Sequence, residues 1–486
     1  MADKHAFEQM VKNNPSRCTM ATTQSSSTSE SPAPRTAPGP KGLPILGNLI
    51  DMQRGRHHFY HAAWKEYGEI VRLHVGPMTM HLLTHPDHIH HVLVRNKENY
   101  CKGLGYRKAK LLLGNGLFVS EGAHWKRQRR LMQPPFTAKS IPLFTDMMVD
   151  STLKMLDDWT QLADRNESFE MNMEMVRITM SIIGRTMLGM DLAADGRKVS
   201  DALIEVLAFV GESSVAIVDV PLWVPTPMNL RFKKNLAVLD GVVEKIITHH
   251  REHPDEGEDN LLSMLIKARD PDTGEAMTAA ELRDEIITIF LAGHETTALL
   301  LTWTWWLLSE HPEVEEKFHA ELNTVLGGRT PTAADLPNLP YTKMIVEETM
   351  RLYPPVWMFP RDAVEDDVID GYHIPKGSML FLSPYISQRN PKYWDDPETF
   401  RPERFSDAEA SQRVRNTYYP FGAGPRTCIG NHFAMLESQI VLATIGQQFR
   451  VRPVEGQQVE PASIATFRPK DGIHVRLEKR TQTAPA

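Results

Sequence analysis

The chain of 486 residues has little cysteine: Cys18, Cys101 and Cys428, with no C-x-x-C pair. That excludes a disulfide framework and a zinc site of ordinary spacing, and it fits a reducing compartment. Positive charge is not in excess either. The net charge is −7 and the isoelectric point about 6.3, so nothing in the balance asks for nucleic acid. No apolar stretch opens the chain. Met1 to Met20 is polar and mixed, without the layout of a signal peptide. The expectation is a soluble, cytoplasmic protein with no membrane span. Where glycines crowd most there is no G-x-G-x-x-G loop, because Thr427 stands where that pattern needs glycine.

What is present is ample apolar material, 41% of the residues, enough for a large core. Length alone suggests about three domains of roughly 150 residues. The motifs below override that prior, because they are spread over most of the chain and must meet at one site. Ala21 to Pro40 is rich in Ser, Thr, Pro and Ala and is expected to be disordered, so residues 1–37 are assigned to a tail. Order is expected over 38–479, and 480–486 form a second tail.

The chain is organised around Tyr419-Pro420-Phe421-Gly422-Ala423-Gly424-Pro425-Arg426-Thr427-Cys428-Ile429-Gly430. A helical pattern follows at Phe433, Leu436 and Ile440. Cys428 is therefore expected where a tight loop enters a helix, a place that favours a thiolate. As a nucleophile it lacks a well-placed base, since His432 lies one turn further along the helix. As a zinc ligand it lacks companions. One protein thiolate with no second ligand suits a cofactor that brings its own ligands, namely haem iron.

The loop F-x-x-G-x-R-x-C-x-G, with Phe421, Gly424, Arg426, Cys428 and Gly430, resembles the haem-binding loop of the cytochrome P450 superfamily. The resemblance implies a mainly α fold with small β-sheets. In that fold, a triangular prism, a long central helix crosses above the haem, the cysteine loop lies below it, and 38–479 form one haem domain. It also implies haem b (iron protoporphyrin IX) with Cys428 as the axial ligand of the iron.

Ile286 to Leu308 is apolar almost all round, which reads as a buried or membrane-crossing helix. His294, Glu295, Thr296 and Thr297 interrupt it, and a carboxylate there argues against a lipid span. Gly293 lets something approach the backbone, and a helical Thr can bond back to the i−4 carbonyl. Acid, hydroxyl and room for water are the equipment for passing protons to dioxygen; the bland alternative is a kink with structural hydrogen bonds. Ala292-Gly293-His294-Glu295-Thr296-Thr297 matches the family's A-G-x-[D/E]-T-T, which implies Glu295 and Thr296 as the acid–alcohol pair.

Glu348 and Arg351 share one helix face, and Phe400-Arg401-Pro402-Glu403-Arg404-Phe405 resembles the family's F-x-P-x-R-F. The implied Glu348–Arg351–Arg404 network is structural. Trp125, Arg129, Arg361 and Arg426 match positions that bind the haem propionates. Lys126, Arg127 and Arg130, beside Arg129, are expected to dock an acidic redox partner, a ferredoxin or flavodoxin with its NAD(P)H reductase.

Elsewhere, Glu69–Val75 and Thr79–Leu83 read as a strand pair, and His85–Val94 as a helix whose His88, His90 and His91 form a solvated face. Cys101–Phe118 reads as an irregular glycine-rich loop and Val220–Met228 as a proline-rich break between two helices; the resemblance implies that they are the loop over the substrate and the roof of its pocket. Pocket walls are expected from Phe118, Phe290, Ala292, Val356, Trp357, Met358, Phe359 and Phe467. This lining suits a fatty acid, terpenoid, steroid or polyketide, with a lipophilic chain favoured. The implied activity is insertion of one atom of O2 into a C–H or double bond, with two electrons from outside. The alternatives are a peroxide-driven peroxygenase or a haem-thiolate isomerase or dehydratase, each disfavoured by the intact Glu295–Thr296 pair, and a non-catalytic haem sensor or carrier.

Overall fold

A computed structural model describes residues 33–53, 55–214, 220–252 and 260–480. Cys18 and most of the predicted N-terminal tail lie outside them, as do 215–219, just before the predicted roof, 253–259, and 481–486 of the second predicted tail. The main helices are α1 (Arg56–Tyr67), α2 (Gly122–Met132), α3 (Thr145–Asp164), α4 (Met171–Ile183), α5 (Gly196–Ser214), α6 (Pro227–Glu252), α7 (Ala279–Glu310), α8 (Pro312–Leu326), α9 (Pro340–Leu352) and α10 (Asn431–Gln448). The strands are β1 (Ile70–Val75), β2 (Met78–Leu83), β3 (Tyr100–Cys101), β4 (Phe169–Glu170), β5 (Phe359–Ala363), β6 (Asp367–Ile369), β7 (Tyr372–Ile374), β8 (Met379–Leu382), β9 (Phe449–Pro453), β10 (Pro461–Ser463), β11 (Phe467–Pro469) and β12 (His474–Lys479).

The largest sheet has the order β1-β2-β8-β5-β3. β1 and β2 form the expected antiparallel pair, Val75 opposite Met78, and β2 runs parallel to β8. β4-β12-β9, β10-β11 and β6-β7 form the small sheets. The mainly α architecture with small sheets is the expected one.

α7 is the spine. It spans 32 residues, and a full capping box starts it: Thr278 takes the Glu281 N–H while Glu281 reaches back to Thr278. α7 is the one described helix long and apolar enough to cross a membrane, but 83% of its apolar window is buried in the protein. α4, α9 and α10 pack around it with side chains buried on nearly every face, so burial, not amphipathicity, explains its composition.

Several expectations shift. Order reaches the predicted tail, because Arg35 N–H bonds the Gly371 carbonyl and the Arg35 carbonyl takes the His373 N–H, both at 2.8 Å. At the other end the Arg480 N–H bonds the Gln448 carbonyl at 2.8 Å. The stretch after Cys101 contains two short helices, Leu104–Arg107 and Lys110–Leu113. The His88–His91 face is not solvated: His88 is buried, and His91 Nε2 lies 2.7 Å from Asp367, which also takes the Tyr100 hydroxyl and the Asn96 amide.

Candidate haem-thiolate site

The cysteine loop is shaped by its glycines. Gly424 has φ +68° and lies so close to the Leu93 carbonyl that a Cβ would sit 2.2 Å from its oxygen. The Cys428 N–H then bonds the Phe421 carbonyl at 2.9 Å, and Gly430 leads into α10 at Asn431. Burial pushes the Cys428 thiol up, against the pull of the Gly430 N–H and the Arg129 charge. Yet Cys428 is exposed. A group that is both surrounded by protein and accessible lies at the floor of an internal hollow.

A second opening lies at the polar interruption of α7. Ala292 is exposed in the middle of an otherwise buried helix, and Thr296 one turn on is partly open. The Thr296 hydroxyl bonds the Ala292 carbonyl at 2.8 Å. The close approach predicted at Gly293 is real, but its agent is protein: a Cβ there would meet Ile183 Cδ1 at 2.0 Å. His294 is fully buried, and its Nδ1 donates to the Phe290 carbonyl 2.6 Å away.

Cations collect at one edge. Arg426 lies 3.9 Å over the Trp125 ring, pairs with Glu121 at 2.5 Å and donates to the Ser120 carbonyl at 2.8 Å. Arg361 is buried, with Tyr106 Oη 3.4 Å from its guanidinium. Lys102, absent from the sequence reading, sits over the rings of Tyr106 and Phe118. Burial and then the charges of Arg361 and Arg426 hold the Lys102 ammonium well below its ordinary range. Repelling cations with one paired carboxylate among them suit a ligand carrying two more carboxylates, as haem does. Arg129 has a second task, tying α2 to the loop through the Thr427 carbonyl at 2.9 Å. A lone lysine carries no sequence signal; only a fold that brings Lys102 beside Arg361 exposes it.

The Glu348–Arg351–Arg404 network forms as expected. Arg351 and Glu348 have no exposed surface, and Arg404 Nε lies 3.3 Å from Glu348. Arg351 also holds the carbonyls of Gln388, Pro397 and Thr399, and Glu348 takes the Arg401 N–H. The network clamps the meander that precedes the cysteine loop.

Three pocket expectations need correction. Phe290 and Phe467 have no exposed surface and Trp357 almost none. Phe290 packs on His294, while Phe467 joins Trp357, Tyr385, Tyr353 and His57 in an aromatic cluster. A buried ring supports a wall but cannot face a ligand. Phe118 remains exposed, and Val356, Met358 and Phe359 remain partly open. The predicted docking patch is also reduced. Arg127 pairs with Glu281 at 2.8 Å, and Arg130 with Asp270 and Asp272 at 2.9 and 2.5 Å; Lys126 and the neutralised Arg130 stay exposed.

An accessible cysteine at the entry to α10, a turn of α7 that opens at Ala292 and Thr296, and a cluster of cations with a single carboxylate among them are features that a haem-thiolate protein needs. The family model of cytochrome P450 matches residues 37–476. The chain is 34% identical to cyclooctatin synthase of Streptomyces melanosporofaciens, over 89% of this chain and 94% of that protein. It is 35% identical to cyclooctat-9-en-7-ol 5-monooxygenase of the same organism (87% and 90%). To pentalenene oxygenase of Streptomyces avermitilis it is 33% identical (92% and 97%). The chain belongs to the cytochrome P450 family. It is a haem-iron monooxygenase of lipophilic substrates that draws its electrons from an external partner.

Proposed function

We propose that this monooxygenase binds haem b and oxidises a cyclic, hydrocarbon-rich terpenoid. The observation that carries the substrate class is the set of relatives named for cyclooctat-9-en-7-ol and pentalenene, a cyclic alkenol and a cyclic alkene. They favour a compact ring system over the straight lipophilic chain first expected. Haem b, when bound, supplies the iron at which O2 is activated with two electrons.

The protein's own groups do the rest. Cys428 ligates the iron, and the Gly430 N–H directed at its sulfur favours the thiolate. Trp125, Arg129, Arg361 and Arg426, joined by Lys102, hold the two propionates. Phe421 and Gly430 shape the loop beneath the ring. Phe118, Ala292, Val356, Met358 and Phe359 present apolar surface to the substrate and exclude water. The Thr296 hydroxyl hands on a proton, taken in turn from Glu295. Ferredoxin or flavodoxin with its NAD(P)H reductase delivers the electrons.

The test is a screen of cyclic terpene hydrocarbons and alcohols against fatty acids by shift of the haem absorption band. Turnover with NAD(P)H, ferredoxin and reductase follows. A ring compound that shifts the band and yields a mono-oxygenated product is expected. Shifts by fatty acids alone would overturn the substrate class.

A further inference from the structure

The carboxylate that is to serve Thr296 is held elsewhere. Glu295 Oε1 is ion-paired to Arg468 Nη2, and the Thr466 hydroxyl lies 3.4 Å from the same oxygen. Glu295 and Arg468 are both buried. Thr296, meanwhile, is bonded to the Ala292 carbonyl on the open side of α7. Neighbouring residues of a helix point about 100° apart, so the acid and the alcohol face different surroundings.

Arg468 does not belong to α7. It lies on β11, opposite Ala462 of β10. This hairpin is pinned near its turn: the Phe467 N–H bonds the Pro355 carbonyl at 2.9 Å, and the Trp303 indole bonds the Phe467 carbonyl at 3.0 Å. The turn residues Ile464 and Ala465 stay partly open. Among the described residues Glu295 is the only anionic partner of Arg468, and Arg468 Nε is buried without a hydrogen bond. The acid of α7 is thus held by one guanidinium on a separate element.

We propose that Arg468 is a positioning residue for proton supply: it holds Glu295 as an anion turned toward the β10–β11 hairpin, and substrate that displaces the hairpin turn frees the carboxyl to reach Thr296. The inference rests on the roles of Glu295 and Thr296 proposed above. Besides Arg468, the titratable groups on this stretch are His294, which burial holds below its ordinary range and so neutral, and Glu437 of α10, set beside Thr297 and pushed well up by burial, so that it carries no competing charge. From α4 the nearest contribution is the uncharged hydroxyl of Thr179, bonded to the His294 carbonyl at 3.1 Å. A buried carboxyl that loses its only counter-ion keeps a proton.

Infrared spectroscopy of the haem-loaded protein at neutral pH reads that proton directly, with Glu295→Gln identifying the band. The wild type and Arg468→Lys are expected to show no protonated-carboxyl band from Glu295, and Arg468→Gln to show one. A saturating substrate added to the wild type should bring the band up, which keeps the test open if Arg468→Gln does not fold. In turnover, Arg468→Gln should consume NAD(P)H almost equally with and without substrate. No band in Arg468→Gln, or none in the substrate-bound wild type, overturns the proposal. A wild type that takes up haem but oxidises nothing overturns the proposed function instead, while the infrared comparison still reads the hold of Arg468 on Glu295.

Discussion

Arg351 Nε and Nη2 lie 2.7 and 2.8 Å from the two carboxylate oxygens of Glu348, a bidentate pair with no exposed surface. Such a pair is geometrically specific, and its loss leaves a charge stranded in the core. Glu348→Ala strands both Arg351 and Arg404. The expected cost is about 3–5 kcal/mol, with haem content falling as the meander before Cys428 loosens. Haem absorbance per protein, read beside thermal unfolding, checks this; a variant with full haem content refutes it.

Cys428 contributes little to packing, since its side chain is exposed. Cys428→Ser is therefore expected to fold with a change of less than ~1 kcal/mol. The reduced protein with carbon monoxide should lose the far-red-displaced band of a thiolate ligand. Retention of that band would mean that another residue ligates the iron.

Thr296→Val keeps the shape but removes the hydroxyl now bonded to Ala292. Loss of a proton-transferring group typically costs about 10²-fold or more. Product formation should fall by that order while NAD(P)H consumption continues, the electrons leaving as peroxide. Equal product per NAD(P)H in variant and wild type would remove Thr296 from the proton path.

Glu285 of α7 is buried and accepts the Leu117 N–H at 3.0 Å. Burial first, then the charges of Asp284 and Glu281, push its carboxyl up to about 8 against the pull of that N–H. The folded state thus binds this proton more tightly than the unfolded chain does. The stability it confers is complete below the ordinary carboxylate range and is lost as pH rises through about 8. Glu285→Gln keeps an acceptor for Leu117 but cannot ionise. Relative to the wild type it should gain on the order of 1–3 kcal/mol on the alkaline side, seen as diverging melting temperatures. Parallel melting curves at all pH values would show that Glu285 does not titrate in this window.

Much of the site is local and was therefore legible. Gly424, Cys428 and Gly430 act within one turn of chain, Glu348 and Arg351 within one turn of helix, and Thr296 on the carbonyl one turn before it. Such geometry follows from backbone spacing alone. The burial of α7 was legible too, because a helix apolar on all sides can only be buried or in lipid.

What the chain could not announce depended on which elements meet. Arg127 and Arg130 read as a free basic face until Glu281, Asp270 and Asp272 were brought against them. Phe290, Trp357 and Phe467 read as pocket walls until packing sealed their rings. Lys102 joined Arg361 and Arg426 only when β3 paired with β5. Glu295 met Arg468 only when the β10–β11 hairpin was brought against α7. The sequence by itself determined the turn that presents Cys428, the polar interruption of α7 and the Glu348–Arg351 pair, since each is set by short-range backbone periodicity. Only the tertiary structure decided the charge partners and the exposed faces, because Coulomb energy and burial depend on distance in space and not on distance along the chain.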